Sequence, residues 1–286
     1  MKIGVSSYSF SRLMKEKGMT YIEVCDKAKE LGFEGIEFSG MDPEKYSHGE
    51  SDIECAKAIR AHCEEIGLEI INFCTGANFL ADDIEAEVAR VCHCVDIAEA
   101  LGAPCMRHDV CSRLPAKHLY NWQDAVADMA PYIRRVTEYA ASKGIRTCTE
   151  NHGHIFQAPE RVEALIRAVG HENYGWLCDI GNFLCADVDP LYAVPVAARY
   201  IFHAHAKDFL FKSATEKKPQ GFFDTLGGNH LRGTIIGHGI VPVGACVGLL
   251  KKAGYDKWLS IEFEGLEENI NALALGLEFL RGVVAE

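Results

Sequence analysis

No uninterrupted apolar run in the sequence approaches the roughly 18 residues a membrane helix needs, so a membrane-spanning protein is not expected. The opening residues Met1-Lys2-Ile3-Gly4-Val5-Ser6-Ser7 lack the basic segment, apolar core and small-residue cleavage site of an export signal, and pass directly into a strand-like run. Positive charge is scarce: 29 Lys and Arg against 41 Asp and Glu leave a formal net charge of −12. That balance repels phosphate backbones and anionic lipid, which argues against nucleic acid and membrane surfaces as partners. Among 12 cysteines there is no Cys-x-x-Cys pair, and they are scattered through apparent core segments. They read as reduced thiols of a cytoplasmic protein, not as a disulfide framework. No Pro-, Gly- or Ser-rich linker divides the chain and no low-complexity segment interrupts it, so residues 1–286 read as a single domain.

What is present is a globular composition, 48% hydrophobic and 24% charged, in 286 residues. That length suits one α/β barrel of about 250 residues, or two ordinary domains. A recurring pattern decides between them: an amphipathic stretch, a glycine, then a short apolar run. It occurs at Gly32 before Gly35-Ile36-Glu37-Phe38, at Gly67 before Glu69-Ile70-Ile71-Asn72-Phe73, at Gly102 before Pro104-Cys105-Met106-Arg107, at Gly144 before Arg146-Thr147-Cys148-Thr149, and at Gly254 before Trp258-Leu259-Ser260-Ile261. Each glycine supplies the left-handed conformation that stops a helix, and each apolar run suits a strand buried on both faces. Adding Ile3-Gly4-Val5-Ser6, Tyr174 to Cys178 and Tyr200 to His203 gives eight strands, each separated by room for a helix. A closed (β/α)₈ TIM barrel is the expected fold. The alternative, an open doubly wound sheet, would carry a glycine fingerprint for a dinucleotide at its first strand-to-helix turn, and none occurs.

One segment breaks the spacing. Between strands seven and eight, residues 209–236 form a long insertion that mixes aromatics, lysines and glycines, and reads either as an active-site lid or as a loose surface insertion.

Barrel enzymes carry their chemistry where strands end and βα loops begin. Strand five ends in Glu150, strand six in Asp179, strand seven in His203 and His205, and strand eight in Glu262. Three carboxylates and an imidazole on one rim would repel one another and raise each other's pKa unless a cation neutralised them. One divalent ion bound by Glu150, Asp179, His205 and Glu262 is therefore expected. Oxygen-rich ligation with one nitrogen suits manganese, magnesium or cobalt, with zinc also compatible. His203, two residues before His205, faces the same side and either touches substrate or packs. His108, His152 and Lys207 are further candidates for polar contact with substrate, each balanced by a structural alternative: a local hydrogen bond for the histidines, an ion pair with Asp208 for the lysine. Cys92-His93-Cys94 resembles a metal fragment, but it lies in the amphipathic stretch 84–101 without partner ligands, which favours helix packing. Asp189-Pro190 reads as a helix N-cap and first helical residue, and Tyr8 and Phe10, near the end of strand one, read as core packing, with the lining of a sugar pocket as the alternative.

These motifs together resemble the xylose-isomerase-like TIM barrels, the sugar phosphate isomerase/epimerase superfamily that includes ketose 3-epimerases, hydroxypyruvate isomerases and inosose dehydratases. The likeness spans nearly the whole chain. It rests on the glycine-strand units, Glu150-Asn151-His152-Gly153, Cys178-Asp179-Ile180-Gly181-Asn182, His203-Ala204-His205-Ala206-Lys207-Asp208, Gly237-His238-Gly239 and Ile261-Glu262. Carried over by position, Glu150, Asp179, His205 and Glu262 match the family's metal ligands, and in its epimerase branch the two glutamates also move protons. Arg232, upstream of Gly237-His238-Gly239, resembles an arginine that binds substrate oxygens. Two positions depart from the epimerases: Asn182 stands where they commonly have His, and Phe156 where they have a second Glu. The segment from His205 to Asp208 looks more like the inosose dehydratases.

The resemblance implies a small-molecule sugar or polyol substrate, and it admits a homo-oligomer. The expected reaction is metal-assisted removal of a proton next to a carbonyl by Glu150 or Glu262, giving an enediolate that is reprotonated to an epimer or isomer. Loss of a β-hydroxyl from the same intermediate would make the protein a dehydratase. Two rivals differ in class: an endonuclease-IV-like phosphodiesterase, which needs a larger histidine set and a DNA-facing surface, and a non-catalytic sugar-binding subunit.

Overall fold

The glycine stops fall where the sequence places them. Gly32, Gly67, Gly102, Gly144 and Gly254 all hold positive φ, between 65° and 91°. At Gly32 the left-handed residue ends the helix Tyr21–Leu31, and its N–H returns to Ala28 O. Helix starts are equally explicit: Thr20 with Glu23, Ser51 with Glu54 and Asn121 with Asp124 form reciprocal capping boxes. Asp189 caps the helix that begins at Pro190.

The computed structural model describes residues 1–46 and 51–285. Its strands are β1 (Lys2–Ser6), β2 (Gly35–Ser39), β3 (Glu69–Thr75), β4 (Cys105–His108), β5 (Arg146–Glu150), β6 (Tyr174–Asp179), β7 (Ile201–Ala206), β8 (Asp208–Lys212), β9 (Phe223–Asp224), β10 (His230–Thr234) and β11 (Trp258–Ile261). Strands β1 to β7 and β11 close into a parallel barrel, β11 pairing with both β1 and β7. The chain is thus a (β/α)₈ TIM barrel, and an open sheet is excluded. Its main apolar core lies between strands and helices, with Val5, Ile36, Phe73 and Met106 among its members.

A second, smaller cluster of Cys74, Cys105, Cys148 and Leu177, with Phe202 against it, fills the barrel. Cys148 and Leu177 precede Glu150 and Asp179 by two residues, so the same alternation sends both carboxylates inward. At the amino-terminal end an added Cβ on Gly4 would lie 2.4 Å from Ile71 Cδ1, so the bare backbone there is what lets Ile71 plug the barrel.

The insertion is neither loose nor shapeless. β8 and β10 pair antiparallel from Asp208–Thr234 to Lys212–His230, and β9 extends the sheet. Asp187 ties the far end of this sheet to the barrel, accepting hydrogen bonds from Thr225 Oγ1, Gly227 N and Asn229 Nδ2. Tyr8 corrects the expectation of core packing: Phe10 is wholly buried, but Tyr8 is 42% exposed. Cys94 packs inward as expected, while His93 reaches Asp52 at the surface. Among the described residues, no helix is long and apolar enough to cross a membrane.

Candidate metal centre

Strand register assembles the site. Asp179 and His205 are Cα partners across β6 and β7, and His205 and Ser260 are partners across β7 and β11. Glu262 follows Ser260 by two residues, and Glu150 closes β5. The ligand atoms of Glu150, Asp179, His205 and Glu262 lie within 4.8 Å of one another. His205 Nδ1 is 3.8 Å from Glu150 Oε1, 3.9 Å from Asp179 Oδ2 and 3.6 Å from Glu262 Oε2. Glu150, Asp179 and His205 are buried and Glu262 is partly so.

The donor set fits a hard divalent ion on grounds of hydrogen bonding as well as proximity. Asp179 Oδ2 and His205 Nδ1 are buried and have no hydrogen-bond partner, although both face the centre of the cluster. Unpaired buried polar atoms are costly, and a cation between them removes the cost. Meanwhile Asp179 Oδ1 is fully engaged, accepting the N–H groups of Gly181 and Asn182 at 2.8 and 2.9 Å. One oxygen is thus fixed, and the other makes no hydrogen bond and faces Lys207 at 3.4 Å.

Charge is heavily perturbed here. Burial, together with the charges of Glu150 and Glu262 and against the pull of Lys207, pushes Asp179 up to about 6. Burial also opposes ionisation of Glu262, yet Lys207 and His205 outweigh it and hold that carboxyl well below its ordinary range. Lys207 Nζ lies 2.6 Å from Glu262, 3.4 Å from Asp179 and 3.3 Å from Glu264. It is 2% exposed, so its charge acts almost entirely inside the site.

Asn182 belongs to the cluster too: its side chain donates to Glu150 Oε1 at 3.0 Å and accepts from Lys207 at 3.3 Å. The remaining sequence candidates divide. His203 lies beneath His205, 2.8 Å from Ser260 Oγ. His152 stands at the rim, nearly half exposed, donating through Nδ1 to Asp109 at 3.0 Å. His108 does not join them; strand alternation turns it outward, where it stacks on Tyr174 and meets Phe79 edge-on. Burial lowers its pKa to about 4. Arg232 pairs with Glu267 at 2.7 Å and does not point into the four-residue cluster. Lys207 does not pair with Asp208, whose carboxylate instead accepts the backbone N–H groups of Phe209, Gly237, Gly239 and Val241. The Gly237-His238-Gly239 motif therefore anchors the return of the insertion.

Three residues of the site escape a reading confined to the last four strand ends. Arg107 bridges Glu150 at 2.6 Å and Asp109 at 2.9 Å, completing a rim network with His152. Glu37, in the middle of β2, contacts both His203 and His205. Glu37 lies two residues before the end of β2, so a search of strand ends passes over it.

The sequence profile of the family described as xylose isomerase-like TIM barrel matches residues 25–283. The chain belongs to that family. It is 25% identical over 266 residues to the rhizopine catabolism protein MocC of Rhizobium meliloti, covering 86% of this chain and 76% of that one. In structure it is similar to the probable 3-DHS dehydratase AsbF of Bacillus anthracis, with a TM-score of 0.78 and 18% identity over 98% of this chain and 99% of that one. It is also similar to D-psicose 3-epimerase of Clostridium cellulolyticum H10, with a TM-score of 0.74 and 15% identity, each chain being covered to 99%. At such identities the structural likeness is one of fold.

Proposed function

We propose that this protein is a divalent-metal-dependent isomerase or epimerase of a sugar or polyol, with Glu150, Asp179, His205 and Glu262 as ligands. The observation that carries this reading is the convergence of four ligand atoms within 4.8 Å of one another, in a cluster where Asp179 Oδ2 and His205 Nδ1 are buried and make no hydrogen bond. Manganese, magnesium, cobalt or zinc suits the set.

A bound divalent ion supplies Lewis-acid polarisation of a carbonyl and an adjacent hydroxyl, which acidifies the C–H bond between them. Glu150 and Glu262 are the groups that take and return the proton. Arg107 and Asn182 each hold one oxygen of Glu150, and Lys207 holds Glu262, so both carboxylates stay oriented. Lys207 also brings a positive charge to a substrate oxygen that gains negative character during proton removal. His152, whose Nδ1–H is donated to Asp109, stands nearly half exposed at the rim with its Nε2 left for a substrate oxygen.

A dehydratase of keto-sugars or inososes is the second reading, and one observation favours it. Phe156, where ketose 3-epimerases commonly have a glutamate, is wholly buried and offers a substrate no polar group. His152 is then placed to protonate a departing hydroxyl. The readings part on products: incubating the metal-loaded protein with a panel of ketoses and inososes, followed by NMR of the mixture, gives epimer or isomer under the first and an unsaturated or deoxy product under the second. No conversion of any panel member by protein with bound metal would count against both and favour a non-catalytic sugar-binding role.

A further inference from the structure

We propose that Glu37 is a positioning residue that sets His205 for metal binding; this inference rests on the metal centre proposed above. Glu37 is wholly buried in the middle of β2. Its Oε1 lies 2.6 Å from His205 Nε2, its Oε2 lies 2.9 Å from His203 Nε2, and Asn72 Nδ2 donates to Oε2 at 3.2 Å. A carboxylate can only accept, so each ring nitrogen facing it carries the proton. For His205 that places hydrogen on Nε2 and leaves a lone pair on Nδ1, the atom aimed at Glu150, Asp179 and Glu262. A carboxylate that holds the far nitrogen of a ligating histidine fixes both its tautomer and its ring orientation.

The geometry separates this role from two others. The interior positions nearby are taken by Cys74, Cys105, Cys148 and Leu177, so filling the barrel calls for nothing charged. Glu37, His203 and His205 also bring ligand-type atoms within 4.8 Å. The 2.6 Å approach of Glu37 Oε1 to His205 Nε2, however, is that of a direct ion-pair contact; two ligands bound to one ion at about 2.0–2.2 Å each stand farther apart. His203 serves as the second arm of the clamp: its ring lies 5.6 Å from that of His205 at 86°, and its Nε2 also meets Ser260 Oγ. With His203 holding the other oxygen of the carboxylate, rotation of His205 would break its contact with a Glu37 that cannot follow it.

The test uses cobalt as probe and reads binding, not turnover. Cobalt affinity of the full chain, of Glu37→Gln and of Glu37→Ala is measured by chelator competition, with visible absorption of the bound ion and thermal unfolding of the metal-free proteins alongside. We expect about 10- to 100-fold weaker binding in Glu37→Ala, an altered cobalt spectrum, and partial recovery in Glu37→Gln, whose single amide oxygen can serve one ring. Variants that fold and bind cobalt with unchanged affinity and spectrum would overturn the role of Glu37 alone. Failure of the unaltered chain to bind cobalt would remove the metal centre itself. Should the variants not fold, ¹⁵N NMR of the unaltered zinc-loaded chain decides: Nε2–H on His205 with Nδ1 on the metal is expected, and metal on Nε2 would contradict the proposal.

Discussion

At the level of single residues, the account divides the site into groups that move protons and groups that hold them. Replacing Glu150 or Glu262 by Gln keeps the shape and removes the base, so turnover should fall by about 10²- to 10⁴-fold in each, measured as kcat on whichever panel substrate is accepted. Asp109 gives a different readout. Burial opposes its ionisation, but Arg107 and His152 prevail and bring it from 3.8 down to about 2. A carboxyl lowered in the folded state adds stability that is complete above its unfolded pKa and vanishes as pH falls through the folded one. The unaltered protein should therefore lose about 1–2 kcal/mol more than Asp109→Asn between pH 4 and pH 2, visible as a steeper fall in thermal midpoint. The convergence of the four proposed ligands was legible in the sequence because strand ends mark the rim, where like charges have to be neutralised. Arg107 was not, since one strand of Met106-Arg107-His108 looks alike read inward or outward, and only the register puts Arg107 on Glu150 and turns His108 away.

At the level of elements, the glycine stops carried most of the fold. Gly144 has φ of 72° and open space where a Cβ would go, so Gly144→Ala tests backbone strain alone. A cost of about 1–2 kcal/mol is expected, which a thermal melt would register as a few degrees. Gly239→Ala should cost considerably more: its Cβ would lie 2.2 Å from Asp208 Oδ1 and 2.4 Å from Phe209 O, breaking the carboxylate cradle that returns the insertion to the barrel. Equal losses in the two variants would contradict this. The sheet of β8, β9 and β10 could not be read from the sequence, because its pairing joins segments about twenty residues apart through glycine- and lysine-rich turns. Its anchor, Asp187, sits on another loop altogether. Local pattern cannot register a contact whose partner lies 38 to 42 residues away.

At the level of the whole molecule, family membership and the closed barrel are established, and the proposed metal centre would make stability a property of metal occupancy. An ion present at about 100 times its dissociation constant should add roughly 2.7 kcal/mol to unfolding free energy, and a chelator should remove that gain. The central claim is that this barrel uses its metal and two glutamates to move a proton next to a carbonyl. It is tested most directly by incubating the metal-loaded protein with ketoses and inososes in deuterated water. The account predicts deuterium incorporated beside the carbonyl of an accepted substrate, lost on chelation and lost in both Glu150→Gln and Glu262→Gln. Full exchange in both variants, or none across the panel by protein with bound metal, would contradict it.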